Sequence, residues 1–329
     1  MNSSTAVPSS AVATHPLEII LTGLYCLIAG PVGILTNSLT VVAIWQNKKL
    51  HTPCFTVLAA HSVCSWLTSV GFIIDGIIRL NAYFSVSGIR CSRLSCFFMF
   101  LPKGISISSS AIFTCVIGLD RLYGIAFPTQ YKQYAKNFVK ASMAVGILDA
   151  VFNAVAAGFS APSPITETIP CFSTFSAYHP LFTKYFTSHN LVYCAISVCM
   201  YAFIICLVKY RHRRSATTSD QFLQTQLSIL PLIETILVAS LIFSVLPEFL
   251  VSSFAVIENG IYQQKAVLYA AVLKVTSVCT DFFVLLWKSK EFRSTLKRFC
   301  KKNATSAAPS NPSVQGRNVQ VARVQVGGA

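Results

Sequence analysis

Long apolar runs, separated by shorter polar connections, dominate the pattern along this chain. A helix needs roughly 20 apolar residues to cross a hydrocarbon core about 30 Å thick, and seven runs reach that length. The seven runs are Leu17 to Trp45, Cys54 to Ile78, Cys96 to Tyr123, Phe138 to Phe159, Phe182 to Val208, Leu227 to Ile257 and Ala266 to Trp287. They lack the polar outer faces that a soluble helical bundle presents to water. The pattern therefore predicts an all-α membrane protein built as a seven-transmembrane helix bundle.

The composition agrees with this prediction. Charged residues make up only 11% of the 329 residues and hydrophobic residues 53%, whereas soluble chains carry about 25% charged residues. A chain with so few charges must present most of its surface to lipid. Enzyme motifs such as HExxH, GxSxG and the phosphate loop are absent from the sequence, and the 12 cysteines show no zinc-like spacing. We therefore expect no enzyme activity, no metal and no cofactor.

The net charge of +15 could indicate a nucleic-acid partner, so the positions of Lys and Arg matter. With seven spans, 19 of the 26 fall on one side of the membrane and 5 on the other, while Lys103 and Lys274 lie inside spans. The richer side is expected to be cytosolic. This places a multi-pass protein in the plasma membrane with its N-terminus extracellular and its C-terminus cytosolic, and it explains the charge without nucleic acid.

The polar ends complete the predicted domain organisation. An extracellular tail covers 1–16, the membrane domain 17–287, a short amphipathic cytosolic helix 288–302 and a disordered cytosolic tail 303–329. In the amphipathic segment, three apolar residues at i, i+4 and i+7 form a stripe among Lys and Arg: Phe292, Leu296 and Phe299. Such a helix is expected to lie on an anionic leaflet. Cys300 is a candidate palmitoylation site, and Asn2 begins a glycosylation sequon.

Charged residues inside the spans are the candidates for function, because each costs about 2.5–3.5 kcal/mol at the bilayer centre and tends to face the bundle interior. Lys103 and Arg121 are 18 residues apart, which is five helical turns, so they share one face of the third helix. Lys274 and Asp281 share a face of the seventh helix by the same reasoning. Pro247 is expected to kink the sixth helix.

These positions predict a polar interior that is reached from the outer side through Asp75, Lys103, Glu248 and Lys274. The alternative is that they form two buried ion pairs, Asp75 with Lys103 and Glu248 with Lys274, which would still border a cavity. His61, alone on the second span, is interpreted as a hydrogen-bonded packing residue. Packing or protonated roles are expected for Asp149 and Glu234, and both possibilities stay open.

The end of the third span resembles a known family. The stretch Asp120-Arg-Leu-Tyr-Gly-Ile-Ala-Phe-Pro128 is similar to the third-helix signature of rhodopsin-like G-protein-coupled receptors, and Gly33 with Asn37 resembles their first-helix pair. Within that family, Ile117-Gly-Leu-Asp-Arg-Leu and a short third cytosolic loop are most similar to the nematode serpentine chemosensory receptors of the SX class. The resemblance implies a disulfide between Cys96 and Cys171, and it leaves open whether Cys91 competes for Cys171.

The resemblance also implies roles for individual residues. A small-molecule ligand is expected in the outer half, in a pocket formed by Asp75, Lys103, Gly104, Ile107, Ser108, Glu248 and Lys274. A heterotrimeric G-protein is expected at the cytosolic end, with coupling and activation carried by Asp120, Arg121, Leu122, Ile125, Pro128, Pro247 and Asp281. Lys103 occupies the position where amine receptors place an aspartate, which favours an anionic or carbonyl-bearing ligand.

Several positions depart from the family pattern. Asp281-Phe-Phe-Val-Leu285 stands where the family has NPxxY, Ser62 replaces the second-helix acid, and Val245 replaces the aromatic residue before the sixth-helix proline. No acid lies near Leu227 to pair with Arg121. We therefore expect altered activation and a poorly latched resting state.

Two other functions are open to the same sequence. Opsins hold retinal on a seventh-helix lysine, and Lys274 lies within one residue of that position. A transporter or channel could use the same interior charges, although transporters often show internal repeats and none is visible here.

Overall fold

The computed structural model describes residues 16–84, 90–160, 168–171, 178–214, a few positions between 235 and 250, and 260–307. Within them we number the helices and strands in chain order: α1 (Pro16–Gln46), α2 (Pro53–Phe84), β1 (Arg90–Ser92), α3 (Arg93–Ala126), α4 (Pro128–Ser160), β2 (Thr168–Pro170), α5 (Pro180–Arg214), a short π-helical segment α6 (Leu241–Val245), α7 (Gly260–Lys288) and α8 (Lys290–Ala307).

Six helices in the described part of the chain are long and apolar enough to cross a membrane. They correspond to six of the seven predicted runs: Leu17–Gln46, Pro53–Asn81, Arg93–Ala126, Gln133–Ser160, Leu181–Tyr210 and Leu268–Lys288. Most of the remaining run, Leu227 to Ile257, lies outside the described residues, as do Glu234 and Glu248. The short α6 ends two residues before Pro247, where the sequence predicts a kink, and π-helical turns are one of the usual causes of a kink.

From α1 to α5 the helices alternate in direction, which gives the bundle two distinct ends. At one end, the last turns of α2 and α4 pack with the first turns of α3 and α5 around Cys96 and Cys171, which form a disulfide. At the other, the last turns of α1 and α7 pack with the start of α2. We call these the disulfide end and the Arg121 end, after the residues that mark them.

The surface of the bundle is apolar and its interior contains many polar side chains. Phe159 is 90% exposed, and Ile28 and Leu148 are also well exposed. In contrast, Asn37, Thr40 and Ser69 are buried, and the Asn37 amide donates to the carbonyl of Val278 on α7 at 3.0 Å. This distribution is the one expected for helices surrounded by lipid, where polar groups find their partners between helices.

A two-stranded antiparallel ribbon lies at the disulfide end. Strand β1 pairs with β2 so that Cys91 is opposite Ile169, and Cys171 directly follows β2. Helix α3 begins immediately after β1, where the Ser92 hydroxyl caps it by accepting the backbone N–H of Ser95 at 3.2 Å. The ribbon and the disulfide together join the connection between α4 and α5 to the start of α3.

Helix α8 differs from the prediction in two respects. It continues to Ala307, beyond the predicted end at 302, so the first residues of the predicted disordered tail are helical. Phe292 is fully buried and packs, with Leu296, against the ends of α1, α2 and α7. These two side chains therefore face the bundle, because only Ser289 separates α7 from α8 and the first turns of α8 pack against the helix ends; the position of α8 on an anionic leaflet stays a prediction.

Candidate functional site

Lys103 and Asp75 form a buried ion pair between α3 and α2. The Lys103 ammonium contacts Asp75 Oδ2, and the two side chains are 8% and 3% exposed. Lys103 Nζ also lies 4.4 Å from the ring centroid of Phe72. Asp75 Oδ1 has no hydrogen-bond partner within the described residues. Of the two interpretations left open by the sequence, the structure shows the paired one for Lys103 and Asp75.

Gly71 makes room for this pair. A Cβ at Gly71 would lie 2.5 Å from Cβ and 2.8 Å from Cγ of Lys103, distances that real atoms do not adopt. The stem of Lys103 therefore crosses α2 at a glycine, one turn before Asp75. Gly71 was not predicted from the sequence, although its position four residues before an acid inside a span was a usable signal.

The predicted pocket residues of α3 do not all face the same neighbours. Gly104 is buried and Ile107 packs against the core at the disulfide end. Ser108 follows Lys103 by five residues, a rotation of about 140° at 3.6 residues per turn, and it contacts α4 and α5 instead of α2. The structure thus brings Lys103 together with Asp75 but does not bring Ser108 to them.

Ser108 belongs to a second buried polar centre, between α3, α4 and α5. Its hydroxyl donates to Asp149 Oδ2 at 2.8 Å, and the other oxygen of Asp149 lies 3.1 Å from Nε2 of His189. Asn153 Nδ2 donates to the Ser108 hydroxyl at 3.1 Å, and the ring of Tyr193 lies edge-on to His189. Asp149 therefore has polar partners on two helices. No role was predicted for His189, which lies in the first third of α5.

A third polar centre surrounds Asp281. Nδ1 of His61 on α2 lies 3.1 Å from Asp281 Oδ2, and Nε2 of His61 is 2.8 Å from the hydroxyl of Ser110 and 3.3 Å from that of Thr114. The prediction that His61 is hydrogen-bonded is confirmed, and its partners Ser110 and Thr114 both lie on α3. The contact of His61 with Asp281 was not predicted from the sequence. Together with the bonds to Ser110 and Thr114, it joins α2, α3 and α7.

The Arg121 end contains the predicted coupling residues. Asp120 is fully buried, with Oδ2 2.9 Å from Nη2 of Arg121 and Oδ1 accepting the Tyr131 hydroxyl at 2.9 Å. Burial and the adjacent carboxylate raise the pKa of Tyr131, so the hydroxyl stays protonated and donates. Leu122 and Ile125 pack against the last turns of α5, and Pro128 begins α4. Tyr131 was not identified from the sequence.

Only some of the other predicted sites lie within the described residues. The disulfide that the resemblance implies is present between Cys96 and Cys171, and Cys91 has a free thiol beside it. Lys274 lies on α7, but its predicted partner Glu248 lies outside the described residues. Cys300 falls within α8, and Asn2 is outside the described residues.

One comparison with known proteins identifies a family. No curated protein matches the chain. A family model described as the serpentine type 7TM GPCR chemoreceptor Srsx matches residues 30–300, which is most of the chain and includes all three polar centres and the Asp120–Arg121 pair. This family consists of seven-transmembrane chemosensory receptors and is not an enzyme family. The chain therefore belongs to the Srsx family of serpentine G-protein-coupled chemoreceptors.

Proposed function

We propose that this receptor binds a small anionic or carbonyl-bearing molecule in its outer half and activates a heterotrimeric G-protein at its cytosolic end. The observation that carries the proposal is the buried Lys103–Asp75 pair. A lysine this deep in a helix bundle is costly unless it is paired. Lys103 lies near the disulfide end of α3, the helix that carries Asp120 and Arg121 near its other end.

Lys103 can bind a ligand while its positive charge stays paired with an anionic or polar oxygen. The ammonium group has three N–H donors, so a carboxylate or carbonyl oxygen can join Asp75 or take its place. An amine ligand would lie beside the Lys103 cation unless it displaced Lys103 from Asp75. A ligand of the first kind stabilises the helix arrangement in which it fits, and the receptor population shifts towards that arrangement.

The remaining parts of the proposal concern topology. The asymmetry of Lys and Arg favours an extracellular disulfide end and a cytosolic Arg121 end in the plasma membrane. We assign the run from Leu227 to Ile257 to the sixth span, which brings the number of spans to seven, with Pro247 as its hinge. Helix α8 then lies at the cytosolic face with its basic side towards the anionic leaflet. Asn2 is assigned to glycosylation and Cys300 to palmitoylation.

Coupling is assigned to the Arg121 end. Arg121 is held by Asp120, which Tyr131 also contacts. When this end opens, Arg121 is released to the G-protein, and the segment from Leu122 through Ile125 to Pro128 forms the adjoining surface. Asp281 acts with Pro247 in the opening, and its contact with His61 supports a role in holding the closed state.

The test measures G-protein activation in cells that express the tagged receptor, against a panel of small carboxylates, ketones, aldehydes and amines. We expect carboxylates or carbonyl compounds to activate the wild type and amines to be inactive. Lys103→Met should lower the potency of the active compound at least tenfold at matched surface expression. Lys265→Met is the control, because Lys265 is 39% exposed and only 3.7 Å from Glu18, and it should leave potency unchanged.

Arg121→Ala separates coupling from ligand binding. It should abolish the G-protein signal while the receptor still reaches the surface. Equal potency in wild type and Lys103→Met would refute the proposed ligand class, and a full signal from Arg121→Ala would refute the proposed coupling role.

A further inference from the structure

Three cysteine sulfurs lie together at the disulfide end. Cys96 and Cys171 form the disulfide, and the Sγ atoms of Cys91, Cys96 and Cys171 all lie within 4.8 Å of one another. Both disulfide partners are fully buried, whereas Cys91 is partly exposed and has a free thiol. The structure therefore places a thiol within one side-chain movement of a disulfide.

The surrounding elements hold the three residues in this arrangement. Cys91 lies on β1 opposite Ile169, Cys171 follows β2, and Cys96 lies in the first turns of α3. All three belong to one apolar cluster that also includes Ile169 and Tyr178. A new bond from Cys91 to Cys171 can therefore form inside the same cluster, without separating the two strands.

We propose that Cys91 exchanges with Cys96 for Cys171, so that the outer connection of the receptor has two alternative disulfide linkages. The Cys91 thiolate attacks Sγ of Cys171, the Cys91–Cys171 bond forms and the Cys96–Cys171 bond breaks. Cys96 leaves as a thiolate and takes up the proton that Cys91 released. The number of disulfides is unchanged, so the step consumes no oxidant and no reductant.

The local electrostatics control the rate of this step. Burial raises the pKa of the Cys91 thiol, and the backbone N–H of Cys96 opposes that effect by donating to the sulfur. Since the thiolate is the attacking form, the exchange is slow at neutral pH and faster in mildly alkaline solution.

The exchange changes which element the outer connection is bonded to. With Cys96, the connection is bonded to α3 seven residues before Lys103. With Cys91, it is bonded to β1 and α3 loses its covalent tie. The two linkages therefore differ in how firmly the helix that carries Lys103 is fixed at its outer end.

The first experiment maps disulfides in cysteine variants of the full receptor at the cell surface. Samples are quenched in acid and digested without reduction. Trypsin cleaves after Arg90 and Arg93, so Cys91 and Cys96 fall in different peptides. Cys96→Ser is expected to contain a Cys91–Cys171 bond, Cys91→Ser to keep Cys96–Cys171, and the double variant to contain neither. Free thiols on both Cys91 and Cys171 in Cys96→Ser would overturn the proposal.

The second experiment uses the wild-type receptor and so does not depend on the folding of a variant. Intact cells are exposed to iodoacetamide at pH 8.5, quenched and mapped in the same way. Exchange predicts alkylated Cys96 together with a linked Cys91–Cys171 peptide, and neither product in Cys91→Ser. Alkylation of Cys91 alone, with every Cys171 still linked to Cys96, would overturn the proposal.

Discussion

The stability contributed by the Lys103–Asp75 pair is the most direct prediction of the structure. Lys103→Met leaves the Asp75 carboxylate buried without its cation, and Asp75→Leu leaves the Lys103 ammonium without its anion. Removing one member of a buried pair typically costs 3–5 kcal/mol. Both side chains are more than nine-tenths buried, so we expect each single variant to lose about 3–5 kcal/mol.

The double variant Asp75→Leu/Lys103→Met is the informative comparison. Replacing a buried pair by apolar residues of similar volume is often neutral or stabilising, so the double variant should recover most of the stability that either single variant loses. The surface variant Lys265→Met breaks the exposed pair with Glu18, and it should lose at most about 1 kcal/mol.

The assay is thermal denaturation of the detergent-purified receptor, followed as the loss of monodisperse protein. Each kcal/mol moves the Tm by roughly 2–4 °C for a chain somewhat smaller than this one, so the single variants should fall on the order of 10 °C below the wild type. Two results would refute the reasoning: single variants as stable as the wild type, or a double variant no more stable than the worse single variant.

Two further predictions concern packing and the Arg121 end. Gly146→Ala should lose about 1–3 kcal/mol in the same assay, because its Cβ would lie 2.6 Å from the Phe113 ring, and Phe113→Leu should restore part of the loss. Gly158→Ala, whose Cβ would meet no atom closer than 3.9 Å, should be neutral; equal effects at both glycines would contradict the packing argument. Tyr131→Phe removes a hydrogen bond to buried Asp120, a loss of about 1–3 kcal/mol, and should raise basal G-protein signalling at matched surface expression. Basal signalling equal to that of the wild type would show that the hydroxyl does not restrain this end.

The helices could be predicted from the sequence because hydropathy is a local property. Each span is long enough to be recognised from its own residues, and helical phase showed that Lys103 and Arg121 lie on the same side of α3. The pair of Lys103 with Asp75 could also be anticipated, since α2 and α3 are consecutive and antiparallel, and Asp75 and Lys103 both lie near the ends that a short connection joins.

The partners of the other polar residues could not be predicted. Helical phase shows which residues share one face of a helix, but it does not show which other helix packs against that face. His61 and Asp281 lie on α2 and α7, and nothing in the local pattern joins them. Asp149 and His189 lie on successive helices, but their contact depends on how α4 and α5 pack. For the same reason the apolar stripe of α8 could be predicted, but not that Phe292 and Leu296 pack against the bundle.

The contacts between α2 and α3 suggest how ligand binding changes the receptor. Asp75, Thr68 and His61 are spaced seven residues apart on α2, close to two turns each, so they share one face. Each contacts α3: Asp75 through Lys103, Thr68 through the Ser106 hydroxyl at 2.8 Å, and His61 through Ser110.

Under the proposed function, a ligand that draws Lys103 away from Asp75 removes only the contact nearest the disulfide end. The two inner contacts still hold α2 to α3, and the contact between His61 and Asp281 still holds α7. At its Asp75 end, α2 also stays joined to α1, where Arg79 donates to the Thr22 hydroxyl at 3.4 Å. Under the proposed function, the change reaches Arg121 only if α3 shifts against α2 and against the partners of Ser108 on α4 and α5, so we expect an activating ligand to displace α3 as well as open the ion pair.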